Sequence, residues 1–218
     1  MTILCALDFS PPSVAAARVA TALARRFKDR VVLVHAIEVV IPPGLGESAA
    51  VVQDFVNAQQ VAARDALEQV AAPLRADGTV VETRLEPGPA PRVIRTLAEA
   101  ADVRLVVLAS NGRGAVERAL MGSVADRVSR ETDKPLLVVG DNAEALEAAI
   151  RGEGALRVTC GVDLGPASDA ALALLREWRA AKDMDLVLVH SYWPPGEAAR
   201  LGLPPAPDLY EADPEVVS

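Results

Sequence analysis

Shifting the sequence by 155 positions lays it on itself. Cys5 falls on Cys160, Asp8 on Asp163, Pro11 on Pro166 and Ser13 on Ser168, and Val32-Leu33-Val34-His35 falls on Val187-Leu188-Val189-His190, all without a gap. The chain has two cysteines and two histidines, so its scarcest residue types coincide under a single offset. A repeat of this kind limits the fold more than any composition, because each copy has to be a structural unit that the chain can begin again. Residues 1–140 are expected to form a complete domain, 141–155 an Ala/Glu/Gly-rich linker, and 156–218 a partial second copy. That second copy offers a strand, a helix and a strand, then a tail with Pro194, Pro195, Pro204, Pro205 and Pro207. Nothing in it corresponds to residues 79–139, so it reads as incomplete.

Within the first copy, continuous Val/Leu runs alternate with helical patterns. Strands are expected at Ile3 to Asp8, Arg30 to Val40, Thr79 to Glu86, Leu105 to Leu108 and Pro135 to Val139. Between them lie helices from Pro11 to Phe27, about Ala49 to Arg75, about Ala90 to Ala101, and one following Gly122. Ser10 can cap the first helix, and Pro11-Pro12 suits its opening turn. Fully apolar strands separated by helices imply a parallel sheet covered on both faces, a doubly wound α/β fold.

Hydrophobic residues make up 51% of the chain, which suffices for an aliphatic core. Its net charge of −8 argues against nucleic acid as a partner, since phosphate backbones need a basic face. No run approaches the roughly 20 apolar residues of a membrane-spanning helix. Met1 leads straight into an apolar strand without the basic start of a signal peptide. Both cysteines sit in apolar runs, as small core residues in a reducing compartment. A cytoplasmic location follows as the expectation.

Ligands of doubly wound sheets sit beyond the carboxyl ends of the strands, where the strand order reverses. Asp8 stands at such an end. After the fourth strand comes Ala109-Ser110-Asn111-Gly112-Arg113-Gly114-Ala115-Val116-Glu117-Arg118-Ala119-Leu120-Met121-Gly122-Ser123. Glycines let a backbone approach a ligand closely, and the helix opening at Gly122-Ser123 presents free N–H groups to an anion. On the residues alone two readings stand. One is a phosphate cradle; the other is an ordinary serine-capped helix. The Walker A pattern is absent from the sequence, and no paired acids suggest a metal-assisted phosphoryl transfer. His35 and His190, ending apolar strands, read as structural or crevice-edge residues.

The stretch Gly112, nine residues, Gly122-Ser123 resembles the second half of G-x2-G-x9-G-[ST], the motif of the ATP-binding branch of the universal stress protein family. Val124-Ala125-Asp126-Arg127-Val128, Lys134-Pro135-Leu136-Leu137-Val138-Val139, and Asp8 with Ser10 are similar to that family too. The resemblance covers residues 1–140 and begins again at 156. It implies a Rossmann-like, adenine nucleotide alpha hydrolase-like sheet of five strands in the order 3-2-1-4-5. It places Asp8 at the ribose or adenine of a nucleotide, the Ala36 backbone at the adenine, and Gly112, Gly122 and Ser123 at the phosphates. Asn111, Arg113, Phe9, Ser10, Ala109 and Val124 complete the candidate binding set, with ATP, accompanied by Mg²⁺, as the ligand. Catalytic residues are not expected; slow ATP hydrolysis is the most the resemblance allows.

Two positions depart from the family pattern. Ala109 stands where the motif has its first glycine, and Phe9 follows Asp8 where a small residue is common. Both support an alternative, a family member that binds no nucleotide and acts through protein association. The final strand, Leu136 to Val139, is a short apolar edge open to pairing with another chain. The resemblance implies that it makes a homodimer.

Overall fold

The computed structural model describes residues 1–38, 49–76, 78–110, 121–163, 165–181, 184–190 and 202. The first seven elements in chain order are β1 (Thr2–Ala6), α1 (Pro11–Phe27), β2 (Arg30–Ile37), α2 (Ala49–Arg75), β3 (Val81–Pro87), α3 (Ala90–Ala98) and β4 (Val103–Ala109). They are followed by α4 (Ser123–Glu131), β5 (Leu136–Val139), α5 (Ala143–Arg151), β6 (Leu156–Gly161), α6 (Pro166–Ala181) and β7 (Met184–Val189). Two compact units emerge, Met1–Leu156 and Arg157–Ser218.

In the first unit five strands form one sheet in the order β3-β2-β1-β4-β5, and every neighbouring pair is parallel. This is the doubly wound sheet expected from the apolar runs, in the strand order that the resemblance implies. Because side chains alternate across a strand, each apolar run supplies both faces of the sheet. Leu4, Val32, Val34, Val106 and Leu108 pack with Val93, Ile94 and Ala98 of α3 and Ala125 and Val128 of α4. The alternate set of Ile3, Cys5, Val31, Leu33 and Val107, each fully buried, serves the other face, where α1 and α2 lie. α1 buries Ala16, Ala17, Ala20, Ala22 and Ala24 beside Val19 and Leu23, and these small side chains let the helix approach the sheet closely.

β1 and β2 end earlier than the apolar runs suggest, whereas β3 and β4 run on to Pro87 and Ala109. β1 stops at Ala6; Leu7 still donates its N–H to the Val34 carbonyl, and the chain then turns. The segment expected as a linker contains the nine-residue helix α5, which packs on α1. Its Ala143, Ala149 and Ile150 are buried, and Glu147 bridges Arg18 of α1 at 3.2 Å and Arg151 at 2.8 Å. The Ala/Glu composition that looks like a spacer is also that of a good amphipathic helix former.

The amino ends of the strands are joined by ions. Arg30 donates to Glu82 (2.7 Å), Asp102 (2.9 Å) and the Thr2 hydroxyl (2.8 Å), linking β2, β3 and β1 to the turn before β4. Asp29 is held by Arg104 at 3.2 Å.

In the second unit β6 pairs with β7. Met184 is buried, whereas Val187, Leu188 and Val189 are each about half exposed. Their counterparts under the 155-residue offset, Val32, Leu33 and Val34, are buried.

Candidate functional site at the carboxyl edge of the sheet

β1 lies between β2 and β4, and the order reverses between β1 and β4. The β1–β4 pairing runs to Cys5↔Val107, so Asp8 and Ser110 both lie just beyond the carboxyl ends of these neighbouring strands. The edge formed by Asp8, the end of β2 and the end of β4 is therefore the crevice where a doubly wound sheet takes its ligand.

Local chemistry fixes the Asp8 side of that edge. One carboxylate oxygen, Oδ1, accepts from the Ser10 N–H at 3.0 Å and from the Ser10 hydroxyl. Ser10 is also the N-cap of α1, its Oγ accepting from the Ser13 N–H at 3.4 Å. Asp8, Ser10 and the start of α1 are thus one hydrogen-bonded turn. Between them Phe9 has φ +63°, left-handed backbone that a bulky side chain rarely adopts, at a cost of about 1–3 kcal/mol. Its ring centroid lies 4.4 Å from that of His35, the planes inclined by 38°. His35 Nδ1 lies 2.7 Å from the Leu7 carbonyl oxygen. A carbonyl only accepts, so this nitrogen carries the proton and donates.

On the β4 side, Ser110 donates its N–H to Val139 at 2.8 Å, and the Gly122 N–H donates to the Ser110 carbonyl at 2.5 Å. The two ends of the loop after β4 are closed on each other. α4 opens with Gly122 as N-cap, a residue with no side chain to cap it. The serine-capping reading is therefore corrected: Ser123 is the first helical residue, so its hydroxyl does not cap the helix. The N–H groups of the first turn have no acceptor within the helix and give the anion-attracting terminus that the phosphate reading requires. Val124 packs against the sheet core, and Asp126 turns its charge to Arg130 at 2.9 Å.

The structure thus brings together Asp8, Phe9, Ser10, Ala109, Gly122, Ser123 and Val124 at one end of the sheet. Ala36 lies on β2 beside Glu86 of β3, half-buried against the core. Asn111, Gly112 and Arg113 lie outside the described residues. Among the described residues, the non-glycine positions with positive φ are Phe9 and Lys28. Ala109 is therefore not strained, and it pairs with Val139 as an ordinary strand residue. Sequence reasoning missed the Phe9–His35 ring pair; its signal was a histidine ending the strand next to Asp8. Cys5 is fully buried and burial pushes its thiol up to about 12, which removes it as a nucleophile. Among the described residues no helix is long and apolar enough to cross a membrane.

Comparison with known proteins agrees with this architecture. The model of the universal stress protein family matches residues 1–140. A universal stress protein of Mycolicibacterium smegmatis is 31% identical over 209 residues, covering 92% of this chain and 67% of the relative. The chain therefore spans about two thirds of that relative's length. Among solved structures, a universal stress protein from Lactobacillus plantarum superimposes with a TM-score of 0.56 at 21% identity, over 64% of this chain and 97% of that one. Another, from Archaeoglobus fulgidus, covers 93% of this chain and 84% of its own with a TM-score of 0.52 at 16% identity. Both share the fold. The chain belongs to the universal stress protein family.

Proposed function

We propose that the chain binds an adenine nucleotide, ATP accompanied by Mg²⁺, at the carboxyl edge of β1 and β4. In this reading it acts in the stress response of the cytoplasm as a nucleotide-dependent switch or assembly protein. The observation that carries the proposal is the α4 terminus: its N-cap is a glycine, which has no side chain to cap it, and Gly122 bonds back to Ser110 at the carboxyl end of β4, the strand beside β1. The fit to a nucleotide is chemical. Backbone N–H groups and the Ser123 hydroxyl would hold phosphate oxygens, and the Asp8 carboxylate would accept from a ribose or base donor. Among the described residues no cluster of His, Cys, Asp or Glu could hold a metal ion, so Mg²⁺ would arrive with the phosphates.

Titration calorimetry of nucleotide-stripped protein with ATP and Mg²⁺ tests this, alongside Gly122→Val. Gly122 has φ −68° and ψ 155°, a conformation valine adopts freely, so the variant adds bulk at the helix terminus without straining its backbone. One site per chain, lost in Gly122→Val, is the expected result. No heat at millimolar ATP would sink the reading in favour of a member acting by protein association, which the alanine at position 109 favours.

Two further parts of the proposal concern organisation. β5 is an edge of the sheet, with Leu136, Leu137 and Val138 half-buried, and is read as the pairing strand of a homodimer. Light scattering at micromolar concentration checks it. The stretch from residue 156 is read as a second copy of the fold's opening. Leu7 donates to Val34 at 2.8 Å, and Val162 to Val189 at 2.8 Å, a full offset later.

A further inference from the structure

The repeat contains its own control for Phe9. In the second unit His190 Nδ1 donates to the Val162 carbonyl at 2.6 Å, the counterpart of His35 and Leu7. Asp163 Oδ1 accepts from the Gly165 N–H at 2.9 Å and from the Ser168 hydroxyl, closing the same kind of turn as Asp8. The residue at the place of Phe9 is there Leu164, itself outside the described residues. The histidine bond and the aspartate turn therefore both form without an aromatic ring at that position.

The ring of Phe9 still needs a reason. A glycine would make a left-handed turn without strain, and strained positions of this kind persist where a site over-determines them. Phe9 is half-buried, with its ring against that of His35, so part of its surface meets solvent. His35 is itself anchored by Leu7, which keeps the pair rigid. The aromatic also stands only in the copy that has the Gly122-Ser123 loop.

We infer that Phe9, backed by His35, is the specificity-determining residue that fits this site to an aromatic base, which stacks on its ring. The inference rests on the nucleotide reading above and adds what selects the base end of the ligand. Stacking of a base on a protein aromatic is favourable for any base and strongest for the large purine surface.

The test titrates the wild type, Phe9→Leu and Phe9→Tyr with ATP and with inorganic tripolyphosphate, both with Mg²⁺, after thermal melts show each variant folded. Phe9→Leu, which restores the residue of the second copy, is expected to weaken ATP about tenfold and to leave tripolyphosphate within about twofold. Phe9→Tyr keeps the ATP affinity. Unchanged ATP binding by Phe9→Leu would overturn the inference, and so would an equal loss for both ligands, which would make Phe9 a scaffold residue. Wild-type protein that binds both ligands equally well would keep the phosphate site but reject base stacking. Binding of neither would refute the nucleotide reading and the inference with it.

Discussion

His35 reaches across from β2 to the carbonyl of Leu7, 2.7 Å away, at the point where the ladder between β1 and β2 has just ended. A side chain thus continues what the backbone pairing stops, and holds the two strand ends together beneath the crevice. The same bond joins His190 to Val162. Replacing His35 with Ala removes a hydrogen bond and a ring contact, and is expected to cost about 1–2 kcal/mol of unfolding free energy. His35→Phe keeps the ring contact and is expected to lose only the hydrogen-bond share, about 1 kcal/mol. Urea unfolding of the three proteins measures both.

At the start of α4 stability and binding are expected to separate. An acidic residue in the first turn of a helix is stabilising by about 0.3–1 kcal/mol, yet it opposes an anionic ligand at the same N–H groups. Ser123→Asp should therefore raise the melting temperature slightly and abolish ATP binding. A folded variant that keeps ATP binding would show that the helix terminus is not where phosphate binds.

Helix α5 makes a different claim. Ile150 is 3% exposed and packs within the first unit. Ile150→Ala should destabilise that unit by about 2–4 kcal/mol, the range for truncating a buried aliphatic side chain. A residue in a mere spacer would stay within about 0.5 kcal/mol. Chemical denaturation distinguishes the two.

Acid should weaken one contact in particular. The Arg75 guanidinium, helped by the Thr83 hydroxyl, holds the Glu68 carboxyl down at about 2, against an ordinary value of 4.5. Since the folded value is the lower one, the stabilisation is complete above about pH 5 and fades as the pH falls toward 2. Glu68 is 51% exposed, and solvent screening keeps the gain below about 1 kcal/mol. The difference in stability between the wild type and Glu68→Gln should be constant from about pH 5 to 8 and vanish near pH 2. A difference that persists at pH 2 would assign it to packing.

Sequence alone determined the sheet, because the Val/Leu runs had to be buried on both faces and only parallel strands under helices achieve that. The cap at Ser10 was legible for the same local reason: a hydroxyl three residues before Ser13, ahead of Pro11 and Pro12, has one good use. The coincidence of Cys5 with Cys160 and His35 with His190 under one offset was visible there too. Tertiary structure decided the rest. Whether Ala143 to Arg151 was a spacer or a helix depended on α1 offering a face for Ile150 and a partner for Glu147. Whether Ser123 capped α4 depended on where the chain entered the helix, which the bond from Gly122 to Ser110 sets across the loop. The left-handed turn at Phe9 and its contact with His35 could not be read locally, since the two residues are neighbours only through the pairing of β1 with β2.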